Sequence, residues 1–376
     1  MNASREARLR PCGPRVKAVI TTRALNRATL ARQLLLRRHA MPALQAVEHL
    51  VGMQAQAPFP PYFGLWSRLD GFTPDALARP LVERAAVRMV LMRGTVHLVT
   101  ADDALTLRPL TQPLLDRYLT TAYSRTLGDV DRDQLAKAGR EALRERPLTA
   151  AELGAHLAER FPGAAPGDLA LAARCLLPLV QVPPRAVWGK AGRTAYAPME
   201  EWLGRPPHTE PSLERLVLRY LAAFGPATVA DAQAWSGLTG LREIVERLRP
   251  GLVVFEDERG RELFDLPDAP RPGPDVPAPV RLVAPFDNLL LSHADRTRII
   301  SDEHRKTVIT VNGQVLGTVL ADGFVRGVWR REGPVVTIEP FAPLTPGQAE
   351  EARAEALALL AFAEPGKADR HEVRGI

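Results

Sequence analysis

The sequence predicts an α+β protein in which three tandem helix-plus-hairpin units precede a β-rich region and a terminal helix. Three observations carry this. Amphipathic helical stretches recur along the first two thirds, and each set closes on a pair of short apolar or β-branched runs. A proline-rich stretch from Pro267 to Pro279 then separates these units from the rest. Beyond it, Asn312-Gly313 and Asp322-Gly323 each sit between β-branched runs, the strongest short hairpin signal a sequence offers. A length of 376 residues calls for two to four compact units.

The first unit is expected over residues 20–125. "NRATLARQLLLRRHA" reads as a helix with Leu30, Leu34 and Leu35 inward and Arg27, Arg37 and Arg38 outward. "MPALQAVEHLVG" follows, with Pro42 at a helix start, Leu44, Val47, Leu50 and Val51 on one stripe, and Gly52 as the stop. After "YFGLWSRL", the run "VRMVLMRGTVHLVTADD" places Gly94 between two apolar stretches like a hairpin turn.

A weaker copy spans residues 126–210. It has a Thr149/Glu152 capping box, a helix "GDLALAARCLLPLVQ" and a hairpin candidate across "VPPRAVWGKAGRTAYAP". The clearest copy, residues 211–268, starts with a Ser212 cap and breaks at Gly225-Pro226. Thr228 and Asp231 then have capping-box spacing, a third helix covers about Thr239 to Leu248, and two strands flank an Arg259-Gly260 turn. Helices followed by a hairpin make a winged helix, so three such units are expected. Residues 269–376 hold the linker, the hairpins and a helix from about Pro346 to Ala363, amphipathic through Ala354, Leu357, Leu360 and Ala361.

Composition is that of an ordinary globular chain, 46% hydrophobic and 24% charged. The net charge of +6 is unevenly spread: residues 1–100 contain fifteen basic and five acidic side chains. A polyanionic partner is the inference, against the plainer reading of a solvated arginine-rich surface. Cys12 and Cys175 are too few and too far apart for a disulfide framework, which fits a reducing cytoplasm. No apolar run reaches transmembrane length, and the basic residues 1–19 lack the apolar stretch of a signal peptide. They read as a disordered arm, or as translation from too early a start codon.

The chain lacks HExxH, CxxC, Walker, GxSxG and GxGxxG motifs, so neither a metal nor a dinucleotide cofactor is expected. Its eight histidines are scattered. What stands out is "GMQAQAP", with Gln54 and Gln56 flanking Ala55 between a glycine and a proline. In a helix, residues two apart diverge by about 200°, whereas in an extended segment they share a face. Two convergent carboxamides offer carbonyls to hold a water and NH2 groups to hold a phosphate or a base edge. They could equally cap the preceding helix or bond to backbone.

"GMQAQAPFPPYFGLWSRL", "LMRGTVHLVTADD", "TAYAPMEEWLG", "LRYLAAFGPATVADAQAWSGL", "FDNLLLSHADRTRI" and "DGFVRGVWR" occur in that order. From about residue 20 to 362, this series resembles the winged-helix DNA glycosylases of the AlkZ and YcaQ type. The resemblance implies tandem winged-helix units around a concave basic cleft for duplex DNA. It also implies catalysis by a Gln-apolar-Gln pair, here Gln54 and Gln56, with a β-hairpin in the cleft. The hairpin turning at Asn312-Gly313 is the candidate.

The activity so implied is hydrolysis of the N-glycosidic bond of cationic N7-alkylguanine, including the unhooking of interstrand crosslinks such as those of azinomycin B. It needs no cofactor. A monomer acting on double-stranded DNA in the cytoplasm, at the nucleoid, is expected.

For DNA contacts the sequence offers Arg93 and His97, then Arg185, Lys190 and Arg193 in the second hairpin, and His293, Arg296 and Arg298 in "HADRTR". Salt bridging within the protein, for example by Asp295 with a neighbouring arginine, is the competing expectation. Rival functions are a winged-helix transcription regulator and a protein that binds alkylated DNA without cutting it.

Overall fold

The computed structural model describes residues 18–122 and 124–376. The basic arm and Cys12 therefore lie outside the described residues, apart from Ala18 and Val19. Helices and three β-sheets alternate along the chain, and their packing centres on the second sheet.

That sheet has six strands. Its order runs from Met53–Gln54 through Val96–Thr100, Ala86–Val90, Leu179–Gln181 and Ala195–Pro198 to Leu148–Thr149. Ala86–Val90 pairs antiparallel with Val96–Thr100, as the apolar runs around Gly94 predict. Its other edge takes Leu179–Gln181, through Arg88 opposite Gln181 and Met89 opposite Val180. The hairpins of the first two units are thus joined edge to edge. Sequence patterning shows strands but not which strand edges meet, so this junction was invisible in it.

The 211–268 stretch follows its expected order closely. Helices Leu213–Phe224, Val229–Ser236 and Leu241–Leu248 precede the antiparallel strands Val253–Asp257 and Glu262–Asp265. Ser212 caps the first helix through the Arg215 N–H, and Thr228 with Asp231 forms a reciprocal capping box on the second. The Thr149/Glu152 box is formed as well. A parallel strand, Val19–Ile20, adds to the outer edge of Val253–Asp257; no local pattern announces it.

The proline-rich segment contains no helix or strand and lies across the helix Thr22–Arg32. Its carbonyls at Pro270, Pro274 and Val276 accept from Arg32, Arg23 and Arg27. Arg27, expected to face outward, is fully buried and also bonds Asn26 and Asp322.

Of the two hairpins predicted after the linker, Asp322-Gly323 forms as expected. Both residues have positive φ between the strands Gly317–Ala321 and Phe324–Glu332. Asn312-Gly313 turns within a much shorter hairpin, closed by a single bridge between Ile309 and Val315, because Thr307 and Val308 finish the helix Asp302–Val308.

The last helix, Pro346–Ala363, has the expected bounds but a different buried face. Ala352, Glu355, Ala356, Leu359, Leu360 and Ala363 point inward, while Leu357 is 41% exposed and Ala354 and Ala361 are exposed too. Alanine and leucine surround this helix, so its period leaves the face undetermined.

Candidate active site

Gln54 ends the two-residue strand that follows the helix Ala43–His49. Val51 and Gly52 both have positive φ there, which turns the chain out of the helix and along the edge of Val96–Thr100. Met53 pairs with Leu98 and Gln54 with His97, and the Ala55 N–H donates to the Val96 carbonyl at 2.7 Å. The backbone is extended over Met53–Gln54, and Ala55 is wholly buried in the core. Gln54 closes this strand, Gln56 lies at the bend just beyond it, and the two side chains both return to residues 93–96.

Their environments differ. Gln54 is buried, and its Oε1 accepts from Arg93 Nη2 at 2.8 Å. Gln56 is exposed, and its Oε1 accepts from the Val96 N–H at 3.2 Å. Neither NH2 group has an acceptor among the described residues.

Arg93 lies in the turn between Ala86–Val90 and Val96–Thr100, with a left-handed φ of 56°. It is half-buried, and besides Gln54 it donates to the Trp235 carbonyl at 2.6 Å and Asn288 Oδ1 at 2.9 Å. Burial, with help from Arg296, draws its pKa down to about 10, so it stays cationic at neutral pH. His97 is wholly buried. Its Nδ1 is 3.0 Å from the Thr95 carbonyl and therefore carries the proton. Burial, then Arg93, pushes its pKa to about 3, so it is neutral. Arg93 and His97, expected at phosphates, instead line the inner side of Gln54.

Behind Gln54 is a cavity of about 10 Å³, about the space of one water. Gln33, Arg68, Asp287 and Asn288 supply its polar lining. Asp287 is held by both Arg68 amino groups, at 2.8 and 2.9 Å, and accepts the Leu289 N–H. Asn288 Nδ2 donates to the Gly52 carbonyl at 3.2 Å. Beneath the motif, Arg88 Nη2 donates to the Ala55 carbonyl at 2.6 Å. Arg88 is 3% exposed, and its Nε and Nη1 have no partner among the described residues. Burial, then the nearby Arg185, draws its pKa down to about 10.

The other expected DNA contacts divide by exposure. Lys190 and Arg193 are exposed, and Arg185 is half-buried with Nη1 3.4 Å from the Gly192 carbonyl; none has an ion pair among the described residues. Arg296 is half-buried, with Nε donating to the His293 carbonyl. His293 and Arg298 are not available to a ligand. His293 is buried against the Phe224 carbonyl at 3.0 Å, and burial pushes its pKa to about 3. Arg298 is buried, donates to the Pro226 carbonyl and faces Asp231 at 3.8 Å. "HADRTR" is thus partly internal, and Asp295 within it pairs with Arg259 and Arg261. Asn312 and Gly313 are exposed at their hairpin tip, beside a fully exposed Val311.

Sequence reasoning missed Arg88, Asp287 and Asn288. A lone arginine inside the apolar run "AAVRMVLM" was a signal for Arg88. The other two stand in the quoted block "FDNLLLSHADRTRI", but no pattern assigned them a role, because their contacts bridge 195 to 236 residues.

A family model described as DNA glycosylase AlkZ-like matches residues 47–362. The chain belongs to the AlkZ-like DNA glycosylase family. Among relatives, it is 28% identical over 156 residues to the interstrand DNA cross-link repair glycosylase of Streptomyces sahachiroi. That alignment covers 38% of this chain and 40% of the relative. The solved structure of Streptomyces sahachiroi DNA glycosylase AlkZ superposes with a TM-score of 0.80 at 22% identity, covering 95% of this chain and all of that one. This AlkZ-like chain therefore shares the fold over almost its whole length. No helix of its described residues is long and apolar enough to cross a membrane.

Proposed function

We propose that this AlkZ-like chain is a monofunctional DNA glycosylase that hydrolyses the N-glycosidic bond of cationic N7-alkylguanine in duplex DNA, interstrand crosslinks included. The carrying observation is the arrangement of Gln54 and Gln56, which flank a buried alanine and turn both carboxamides to the same stretch, residues 93–96. Neither side chain can ionise.

A base alkylated at N7 is positively charged, so breaking its bond to the sugar releases a neutral base and leaves an oxocarbenium-like sugar. The leaving group needs no acid. What the protein adds is a placed water and dipoles that favour the developing cation. Carboxamides can do this, whereas release of an uncharged base calls for general acid or base assistance.

DNA reaches this site along a basic cleft bounded by winged-helix units. Arg185, Lys190, Arg193 and Arg296 contact phosphates, and the Asn312-Gly313 hairpin, with Val311 at its tip, enters the duplex. Crosslinked guanines are tied to both strands, so the lesion is read in place and not flipped into a closed pocket. The protein acts as a monomer in the cytoplasm. A regulator reading DNA through Leu241–Leu248 is disfavoured, since Arg247 and Arg249 at its end are bound to Glu214 and to Glu246 and Glu262.

Incubation with a duplex carrying 7-methylguanine tests the reading through alkali-labile abasic sites. The wild type should produce them, and a duplex with an uncharged uracil should stay intact. Joint replacement Gln54→Ala and Gln56→Ala should lower the rate roughly 100- to 1,000-fold, the scale of losing a transition-state hydrogen-bonding group, with DNA binding nearly unchanged. Normal base release by that variant would refute the assignment.

A further inference from the structure

The two glutamines are close in sequence but not equivalent in structure. Gln54 is locked: a buried carboxamide whose oxygen is held by a guanidinium. Gln56 is exposed and bound through one longer backbone contact.

The lock is itself held on three sides. Arg93 Nη1 is fixed by the Trp235 carbonyl, and Nη2 is shared between Gln54 Oε1 and Asn288 Oδ1. Asn288 is anchored in turn to the Gly52 carbonyl, two residues before Gln54. Gly237, which ends the helix Val229–Ser236, lies so close that a Cβ there would come 3.1 Å from Arg93 N and Cα. A non-glycine residue rarely takes a left-handed φ unless its surroundings hold it there. The Val229–Ser236 helix, remote in sequence, thus holds the backbone from which Arg93 reaches Gln54.

We propose that Arg93 is a positioning residue that fixes Gln54 as a hydrogen-bond donor toward the substrate, leaving Gln56 as the adjustable partner that holds the attacking water. This rests on the glycosylase reading above. Turning the Gln54 carboxamide over would set its NH2 group against the Arg93 cation, donor against donor, and lose a charge-assisted bond. The guanidinium also polarises the amide, which strengthens its N–H donors and weakens its oxygen as an acceptor. Gln54 therefore suits an oxygen of the substrate backbone, a phosphate or sugar oxygen. Gln56 has only a neutral backbone donor on its carbonyl, keeps a lone pair and can turn toward a water.

A double-mutant cycle tests the coupling through single-turnover release of 7-methylguanine, with duplex affinity and thermal midpoint measured on every variant. Arg93→Met should slow release about 10- to 100-fold with little change in affinity, and Arg93→Lys should recover part of the loss. In a Gln54→Ala background, Arg93→Met should change the rate by less than about twofold, because the group it acts through is gone.

Should Arg93→Met fail to fold, Asn288→Leu serves as the second arm. It should slow release several-fold in the parent and have no effect beside Gln54→Ala. An impaired Gln54→Ala protein slowed further by the parental factor, in whichever arm folds, would overturn this proposal alone. An undiminished rate in Gln54→Ala would remove the glutamine site and this proposal together.

Discussion

Several arginines around the glutamine motif and most arginines of the 211–271 stretch are treated in opposite ways. Near the motif, Arg88, Arg93, Arg185 and Arg296 have no carboxylate partner among the described residues; carbonyls and carboxamides receive them. In the second region most guanidinium groups meet an acid. Arg32 and Arg271 share Asp265, Arg261 bridges Asp257 and Asp295, Arg249 binds Glu246 and Glu262, and Arg247 binds Glu214. Cations whose charge is already neutralised hold a fold together. Of those left without a carboxylate, Arg88 and Arg93 are committed to the motif, whereas Arg185 and Arg296, both half-buried, keep charge available to an anionic partner.

The largest effect is expected among the neutralised cations. Arg32 and Asp265 are both fully buried, at 2.6 Å. Asp265→Ala would strand two arginines and should cost roughly 3–5 kcal/mol of stability, read from denaturant unfolding. A loss below about 1 kcal/mol would mean that this ion pair is not what holds the region.

Among the uncompensated cations, joint replacement of Arg185, Lys190 and Arg193 by alanine should weaken DNA binding and lower the salt slope by roughly 0.9 for each phosphate no longer neutralised. Folding should be nearly unaffected. An unchanged slope would take the second hairpin out of the interface.

The two buried histidines extend the difference to pH. Both His97 and His293 have folded values near 3, below the unfolded value near 6.5. Between those limits the unfolded chain binds more protons, so stability falls as pH drops from about 6.5 toward 3 and is level above 6.5. Each histidine contributes a slope of up to about 1.4 kcal/mol per pH unit. Thermal midpoints from pH 7 to pH 4 would show it, and His293→Gln should flatten part of the decline. Release of 7-methylguanine should vary little from pH 6 to 8, since neither glutamine titrates.

The smallest effect is expected at Arg259, exposed and paired with Asp295. Arg259→Ala should leave duplex affinity and its salt slope unchanged and alter stability by less than about 1 kcal/mol. A clear drop in the salt slope of that variant would erase the distinction between the two regions.

Legibility followed the range of the signals. Capping boxes at Thr149 and Thr228, the Ser212 cap, the Asp322-Gly323 turn and the bounds of Pro346–Ala363 were readable because each depends on residues within a few positions. The non-helical course at Gln54 was readable too, from Gly52 and Pro58, although the strand ends at Gln54 and Gln56 lies at a bend. His97, His293, Arg27 and Arg298 were misjudged as outward-facing. Polar residues usually are, and the carbonyls that receive these four come mostly from distant segments.

The amino-acid order was enough to set most of the elements of 211–268 and the neutral chemistry of the Gln-Ala-Gln motif, since local backbone preferences and side-chain ionisation travel with the residues themselves. It took folding to bring Arg93 within hydrogen-bonding reach of Gln54 and Asn288 and to set the end of Val229–Ser236 against the Arg93 backbone. Folding also joined the first two hairpins into one sheet. A buried cation goes to whichever acceptors the packed chain brings within about 3 Å, and no spacing along the sequence encodes that distance.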